Sequence, residues 1–166
     1  MQEALACFED VEGSFERCFG RRYGAVESVC CPDADIVLVT SGTITGTARQ
    51  VVEELRAEGE NVGLLKMKLF RPFPVDLVRR ILGPAQKIAV IDRNFSFGAS
   101  GIFAQEIRAA LCGLPQRPVV FGYIAGLGGR DVTGELIREI YRHTRDHAVP
   151  ESDSVWMGLR EVTDGA

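Results

Sequence analysis

Three arginines with aromatic neighbours are the residues of this 166-residue chain best suited to recognising something: Arg71, Arg93 and Arg130, with Phe70, Phe73, Phe95 and Phe97 close by. Each arginine follows a different apolar run of strand length. In a parallel sheet all three then lie at the carboxyl ends of the strands, where loops held by the sheet meet ligands and partners. Arginine beside aromatic rings is the composition of an interface centre, and a guanidinium also receives carboxylates and phosphates through paired hydrogen bonds. Arg71, Phe73, Arg93, Asn94, Phe95, Arg130 and Asp131 are therefore the expected interface or anion-binding rim. The plain alternative is surface charge scattered over a core, with Arg130 and Asp131 pairing with each other or capping the last helix.

Other patterns point to chemistry more weakly. Gly42–Gly46 precedes a helix, where free amides bind phosphate. It lacks the G-x-G-x-x-G spacing, the acidic residue at the end of the next strand and the P-loop lysine, so a helix capped by Thr45 or Thr47 is the simpler expectation. Gly126-Leu127-Gly128-Gly129 is expected to shape a turn rather than hold a ligand. His143 and His147 stand four apart on a helix, a spacing that suits a metal, but no third ligand is evident in the sequence. They are expected to stabilise the negative helix end, so the metal expectation is none. Cys7, Cys18, Cys30, Cys31 and Cys112 are odd in number and lack C-x-x-C spacing, against a disulfide framework, zinc or an iron–sulfur cluster. No G-x-S-x-G elbow occurs, and no cysteine or histidine stands beside an obvious catalytic partner, so no catalytic residue is assigned.

The elements that must position these residues alternate in type. An apolar stripe of Leu5, Phe8, Val11, Phe15 and Phe19 predicts an amphipathic helix over residues 1–22, breaking near Gly13. Residues 25–29 form an edge strand or an extended arm. Ile36–Val39 is a buried strand, followed by a small-residue turn and a helix through Leu55 to Gly59. Val62–Leu69 alternates apolar residues with Lys66 and Lys68, which predicts a sheet edge or an open face. Phe70–Pro74 is a stiff corner, and Pro74 suits the first turn of a helix over Val75–Leu82.

Lys87–Ile107 then joins a buried strand, a polar turn and a helix in one run, with Ser100 expected to cap the first helical amides. Val119–Ile124 and a helix reaching Asp146 complete the pattern. The result is an α/β fold, a three-layer α/β/α sandwich with four parallel strands. The expected organisation is an N-terminal helix and arm over residues 1–32, an α/β domain over 33–147 and a tail over 148–166, with Trp156 available to dock.

The composition is 46% hydrophobic and 25% charged, enough for one buried core. A net charge of −4 argues against general nucleic-acid binding. No apolar run is long enough to span a membrane and no secretory leader pattern opens the chain, so a cytoplasmic location is expected.

Five blocks carry a resemblance: FGRRYG at Phe19–Gly24, ADIVLVTSGTITGTA at Ala34–Ala48, GLLKMKLFRPFP at Gly63–Pro74, VIDRNFSFGASG at Val90–Gly101 and GLGGRDVT at Gly126–Thr133. Their content and order resemble the second domain of the α subunit of pyruvate:ferredoxin oxidoreductase and its 2-oxoacid relatives. The resemblance implies a transketolase C-terminal-like, Rossmann-like domain. It also implies membership in a complex that uses thiamine diphosphate, Mg²⁺, iron–sulfur clusters and coenzyme A to convert a 2-oxoacid to acyl-CoA and CO₂ while reducing ferredoxin. In that family thiamine diphosphate sits between a pyrimidine-binding domain preceding this region and a diphosphate-binding domain on the β subunit. The chain has no G-D-G diphosphate motif, so the resemblance implies a structural, subunit-docking domain that binds no cofactor alone and corresponds to a piece of the subunit or a split-gene product. The partners implied are the other domains and subunits, and ferredoxin through the complex. The competing reading is a free-standing nucleotide- or flavin-binding α/β module.

Overall fold

A computed structural model describes residues 2–159 of the chain. Its order is α1 (Gln2–Phe19), β1 (Val26–Val29), β2 (Ile36–Ser41), α2 (Ile44–Ala57), β3 (Val62–Met67), α3 (Val75–Leu82), β4 (Lys87–Asp92), α4 (Ile102–Leu111), β5 (Val119–Ile124), a 3-10 turn (Leu127–Gly129), α5 (Gly134–Asp146) and β6 (Val155–Trp156). The strands form one sheet in the order β1-β3-β2-β4-β5-β6. All neighbours are parallel except β1, which runs antiparallel to β3.

The apolar runs of β2 and β4 are continuous because both faces of these strands are covered. Successive residues separate onto opposite faces. Leu38, Ala89 and Ile91 join Val51, Val52 and Leu55 of α2 and Ile137, Ile140 and Tyr141 of α5. Val37, Val39, Ile88 and Val90 join Val78 and Leu82 of α3 and Ala104, Ile107 and Leu111 of α4. The expected three layers are thus formed, with two helices packed on each face.

Four features differ from the expectations. Helix α1 runs unbroken through Gly13. The lysine-bearing strand β3 is not an edge, since β1 pairs along it and Glu27 of β1 bonds Lys68 at 2.8 Å. Helix α2 starts at Ile44 behind Thr43, which makes no side-chain cap bond. The Thr45 hydroxyl instead meets that of Thr40 at 3.0 Å, so neither Thr45 nor Thr47 caps the helix. The sheet also holds six strands rather than four, because β1 and β6 pair onto its two sides. No helix among the described residues is long and apolar enough to cross a membrane.

Candidate functional site: the carboxyl rim of the sheet

The loop after β4 is set by one buried carboxylate. Asp92 ends the strand at 1% exposure and faces the start of α4. It accepts hydrogen bonds from the amides of Phe103 and Ala104, each at 3.0 Å, and from the Asn94 side chain at 3.1 Å. Asn94 in turn accepts from the Ile102 amide at 2.9 Å. The first turn of a helix leaves these amides without internal partners, and a carboxylate there is favoured by the helix dipole. Burial is the largest influence on Asp92 and pushes its carboxyl above the usual range, partly offset by the amides. Ser100 is buried but does not cap α4; the cap comes from residues a whole loop away. Gly101 is part of the same fit, since a Cβ there would lie 2.6 Å from the Asp92 carboxyl carbon and 2.8 Å from its Cβ.

With its base pinned, the loop holds its apolar tip in solvent. Phe97 is 95% exposed, beside Gly98 in a left-handed turn. Phe95 packs between Phe97 at 6.0 Å and Trp156 of β6 at 5.1 Å. The tail tryptophan therefore docks on the rim itself. Arg93 reaches the loop after β5, and Arg130, within that loop, reaches the segment after β6. Arg93 donates to the Gly126 carbonyl at 3.4 Å, and Arg130 donates to the Gly158 carbonyl at 3.1 Å. Gly126 is left-handed, and a side chain there would strike Val132 at 2.7 Å and Arg93 at 2.9 Å. A cavity of about 410 Å³ opens beside Arg130 and Trp156.

The structure brings Arg93, Asn94, Phe95 and Arg130 together but sets Arg71 and Phe73 apart. Strand β2 stands between β3, which Arg71 follows, and β4. Arg71 stacks on the Phe70 ring at 4.0 Å and bonds Glu106 of α4 at 2.6 Å. Phe70 packs on Phe103 and Phe73, making a second aromatic group. No hydrogen bond or ion pair among the described residues joins Arg71 to Arg93 or Arg130. Asp131 is exposed, and Arg130 neither pairs with it nor caps α5, where Thr133 accepts from the Leu136 amide at 3.2 Å.

Away from the rim, the last turn of α5 is held by Lys87, whose ammonium donates to the carbonyls of Thr144, Arg145 and His147 at 2.9, 2.7 and 2.7 Å. Lysine and histidine share the helix end, since His147 Nδ1 also meets the His143 carbonyl at 2.8 Å. Glu151 comes within 3.6 Å of His143 and 3.4 Å of His147, supplying the third ligand type that was not evident from spacing. It is missed because it lies beyond the helix, in a turn with no periodic signal. All five cysteines are free. Burial pushes the Cys31 thiol up to about 11, so it is an unreactive core group.

Residues 34–144 match the family described as pyruvate:ferredoxin oxidoreductase core domain II. The pyruvate synthase subunit PorA of Methanothermobacter thermautotrophicus is 40% identical over 164 residues, covering 99% of this chain and 41% of the relative. The ketoisovalerate oxidoreductase subunit VorA of Pyrococcus abyssi is 41% identical over 140 residues, covering 84% of this chain and 35% of the relative. A solved 2-oxoglutarate:ferredoxin oxidoreductase from Magnetococcus marinus, with 2-oxoglutarate, coenzyme A and succinyl-CoA bound, superposes with a TM-score of 0.57 at 25% identity, over 74% of this chain and 20% of that one. A split-gene transketolase with a TM-score of 0.57 at 15% identity, over 75% of this chain and 43% of that one, shares the fold. The chain spans about two-fifths of the length of the PorA relative. The alternating β-loop-α pattern, the five sequence blocks and these matches agree, and the chain belongs to the pyruvate:ferredoxin oxidoreductase core domain II family.

Proposed function

We propose that this chain serves as domain II of the α subunit of a 2-oxoacid:ferredoxin oxidoreductase, with pyruvate the expected oxoacid. In this reading the complex converts 2-oxoacid and coenzyme A to acyl-CoA and CO₂ and reduces ferredoxin in the cytoplasm. The domain docks the thiamine-binding domains and holds no catalytic group. The observation that carries the docking role is Phe97, 95% exposed at the tip of a loop whose base is fixed by Asp92 and Asn94. An exposed aromatic on a rigid support loses little conformational freedom on association, and aromatic and arginine anchors supply most of the energy at protein interfaces. Arg93, in the same loop, and Arg130, beside the cavity that Trp156 lines, provide positive charge for an acidic rim or for the phosphates of coenzyme A.

The residues present do not fit a complete thiamine diphosphate–Mg²⁺ site. At the base of the β4 loop, Asp92 and Asn94 are committed to the α4 amides. Nor do the cysteines fit an iron–sulfur cluster, since the one convergent set of three metal-ligand types among the described residues is His143, His147 and Glu151. No step of the reaction is assigned to this domain.

The test is association of the chain with the separately prepared thiamine-binding domains, followed by isothermal titration. Phe97→Ser and Arg93→Ala should each weaken association by about 10-fold or more, while leaving the melting temperature unchanged. Titration of the chain with thiamine diphosphate and Mg²⁺ should give no heat of binding. Undiminished association by both variants, or tight cofactor binding by the chain alone, overturns the division of labour.

A further inference from the structure

His143 and His147 close the last turn of α5 with their rings stacked, centroids 4.1 Å apart and planes 22° from parallel. Hydrogen-bond chemistry dictates where their protons lie. Thr144 has one hydroxyl proton and gives it to the Ile140 carbonyl at 2.9 Å, because a carbonyl only accepts. The Thr144 oxygen must then accept from the Tyr123 hydroxyl at 2.7 Å. That spends the Tyr123 proton, so the Tyr123 oxygen accepts at 2.9 Å from His143, whose Nδ1 carries hydrogen. His147 likewise donates from Nδ1 to the His143 carbonyl at 2.8 Å. In both neutral rings Nε2 is left as a bare lone pair.

Both bare nitrogens face the same acceptor. Glu151 Oε1 lies 3.6 Å from His143 Nε2 and 3.4 Å from His147 Nε2. The three ligand atoms lie within 4.8 Å of one another. Lone pairs held side by side against a carboxylate in this way repel unless a positive charge lies among them. A proton is a poor fit, because both separations exceed the 2.7–3.2 Å of a good N–H···O bond. A tetrahedral ion with bonds of about 2.0–2.1 Å places its ligand atoms about 3.3 Å apart, close to the two histidine–glutamate separations.

We propose that His143, His147 and Glu151 form a binding site for a divalent transition-metal cation of the zinc class, with a fourth position open to solvent. Two imidazoles and one carboxylate select such an ion over Mg²⁺ or Ca²⁺, which take oxygen ligands. Second-shell partners are in place, since each Nδ1–H is directed at an oxygen that sets the tautomer and leaves Nε2 free to ligate. Entry of the ion splays the two stacked rings so that it lies near both ring planes, and His147, the more exposed of the pair, makes the larger turn. Glu151 precedes β6 by four residues. The ion therefore ties the end of α5 to the segment that delivers Trp156 to Phe95, and coordination at one end of α5 steadies the aromatic rim.

The probe is Zn²⁺, titrated into the chelator-treated chain alongside His147→Ala, Glu151→Gln and Tyr123→Phe, with imidazole nitrogens followed by NMR. Wild type should bind one Zn²⁺ that shifts the Nε2 signals of both histidines, while Mg²⁺ shifts neither. His147→Ala should weaken this binding by more than about 100-fold, and loss of the Tyr123 hydroxyl by about 10-fold or more, as second-shell changes do. Glu151→Gln, at an exposed position, tests the site without endangering the fold and should weaken binding by at least about 10-fold. Zn²⁺ bound with equal affinity by wild type, His147→Ala and Glu151→Gln, or shifts confined to residues near the cysteines, overturns the proposal. So do Nδ1 signals showing that His143 Nε2 carries the proton.

Discussion

Gly101→Ala tests the idea that a single carboxylate builds the rim. The backbone of Gly101, at φ −59° and ψ 136°, is one alanine adopts readily, so conformation alone would favour the change by about 0.4–1 kcal/mol through the stiffer unfolded chain. The added Cβ, however, would stand 2.6 Å from the Asp92 carboxyl carbon and nearer still to Oδ2, with the carboxylate enclosed at 1% exposure. Asp92 must turn away, giving up its bonds to the Phe103 and Ala104 amides. Each such charge-assisted bond contributes about 1.5–3 kcal/mol. Two of them less the entropic gain leave a destabilisation of about 2–5.5 kcal/mol. Urea denaturation followed through Trp156, the one tryptophan, measures it directly and also reports on the loop, because Trp156 rests on Phe95. Gly98→Ala is the control. Gly98 is left-handed with nothing near its absent Cβ, so that change should cost only about 1 kcal/mol. In an Asp92→Ala background, which removes the oxygens and carboxyl carbon, the Gly101→Ala penalty should fall by more than half. A penalty below about 1 kcal/mol, or one equal in both backgrounds, would refute the assignment of Asp92 as the organiser of the loop.

Two further perturbations follow from polar contacts elsewhere in the sheet. Lys68 first, and Arg49 beside it, hold the Glu27 carboxyl down from its ordinary 4.5 to about 2. A depressed carboxylate stabilises the fold above its unfolded value and loses that contribution as pH falls from 4.5 toward 2; with Glu27 about one-third exposed, the loss is about 1 kcal/mol. The stability difference between wild type and Glu27→Gln, measured by urea denaturation, should shrink across that range, and a difference independent of pH would reject the pairing. Lys87→Met removes the ammonium from three carbonyls of the last α5 turn and should cost about 1–2 kcal/mol, with faster amide exchange confined to that helix end. Unchanged exchange there would show that the helix end is held by other means.

Much of the layer architecture was legible in the residues, because it rests on local periodicity. Val75–Leu82 and Val119–Ile124 are helix and strand where their patterns place them. The continuous apolar runs of β2 and β4 signalled strands covered on both faces. Four of the five motif blocks lie within the family match and record how its loops and helix starts are built. Strand β6 was not legible: two residues, one of them exposed, have no period, and only pairing with β5 makes them a strand.

The sheet order is likewise a long-range property. Arg71 and Arg93 each follow a strand, but nothing local tells that β2 comes between those strands and divides the rim. The groups that fix the site act across the chain: Asp92 on amides 11 and 12 residues later, Lys87 on carbonyls 57 to 60 residues later. Glu151 completes the histidine pair from beyond the helix. Apolar patterning is written residue by residue because burial acts on each side chain against solvent. Polar partnership appears only once the folded chain has excluded water and left each buried donor or acceptor to find whatever group the topology has brought within reach.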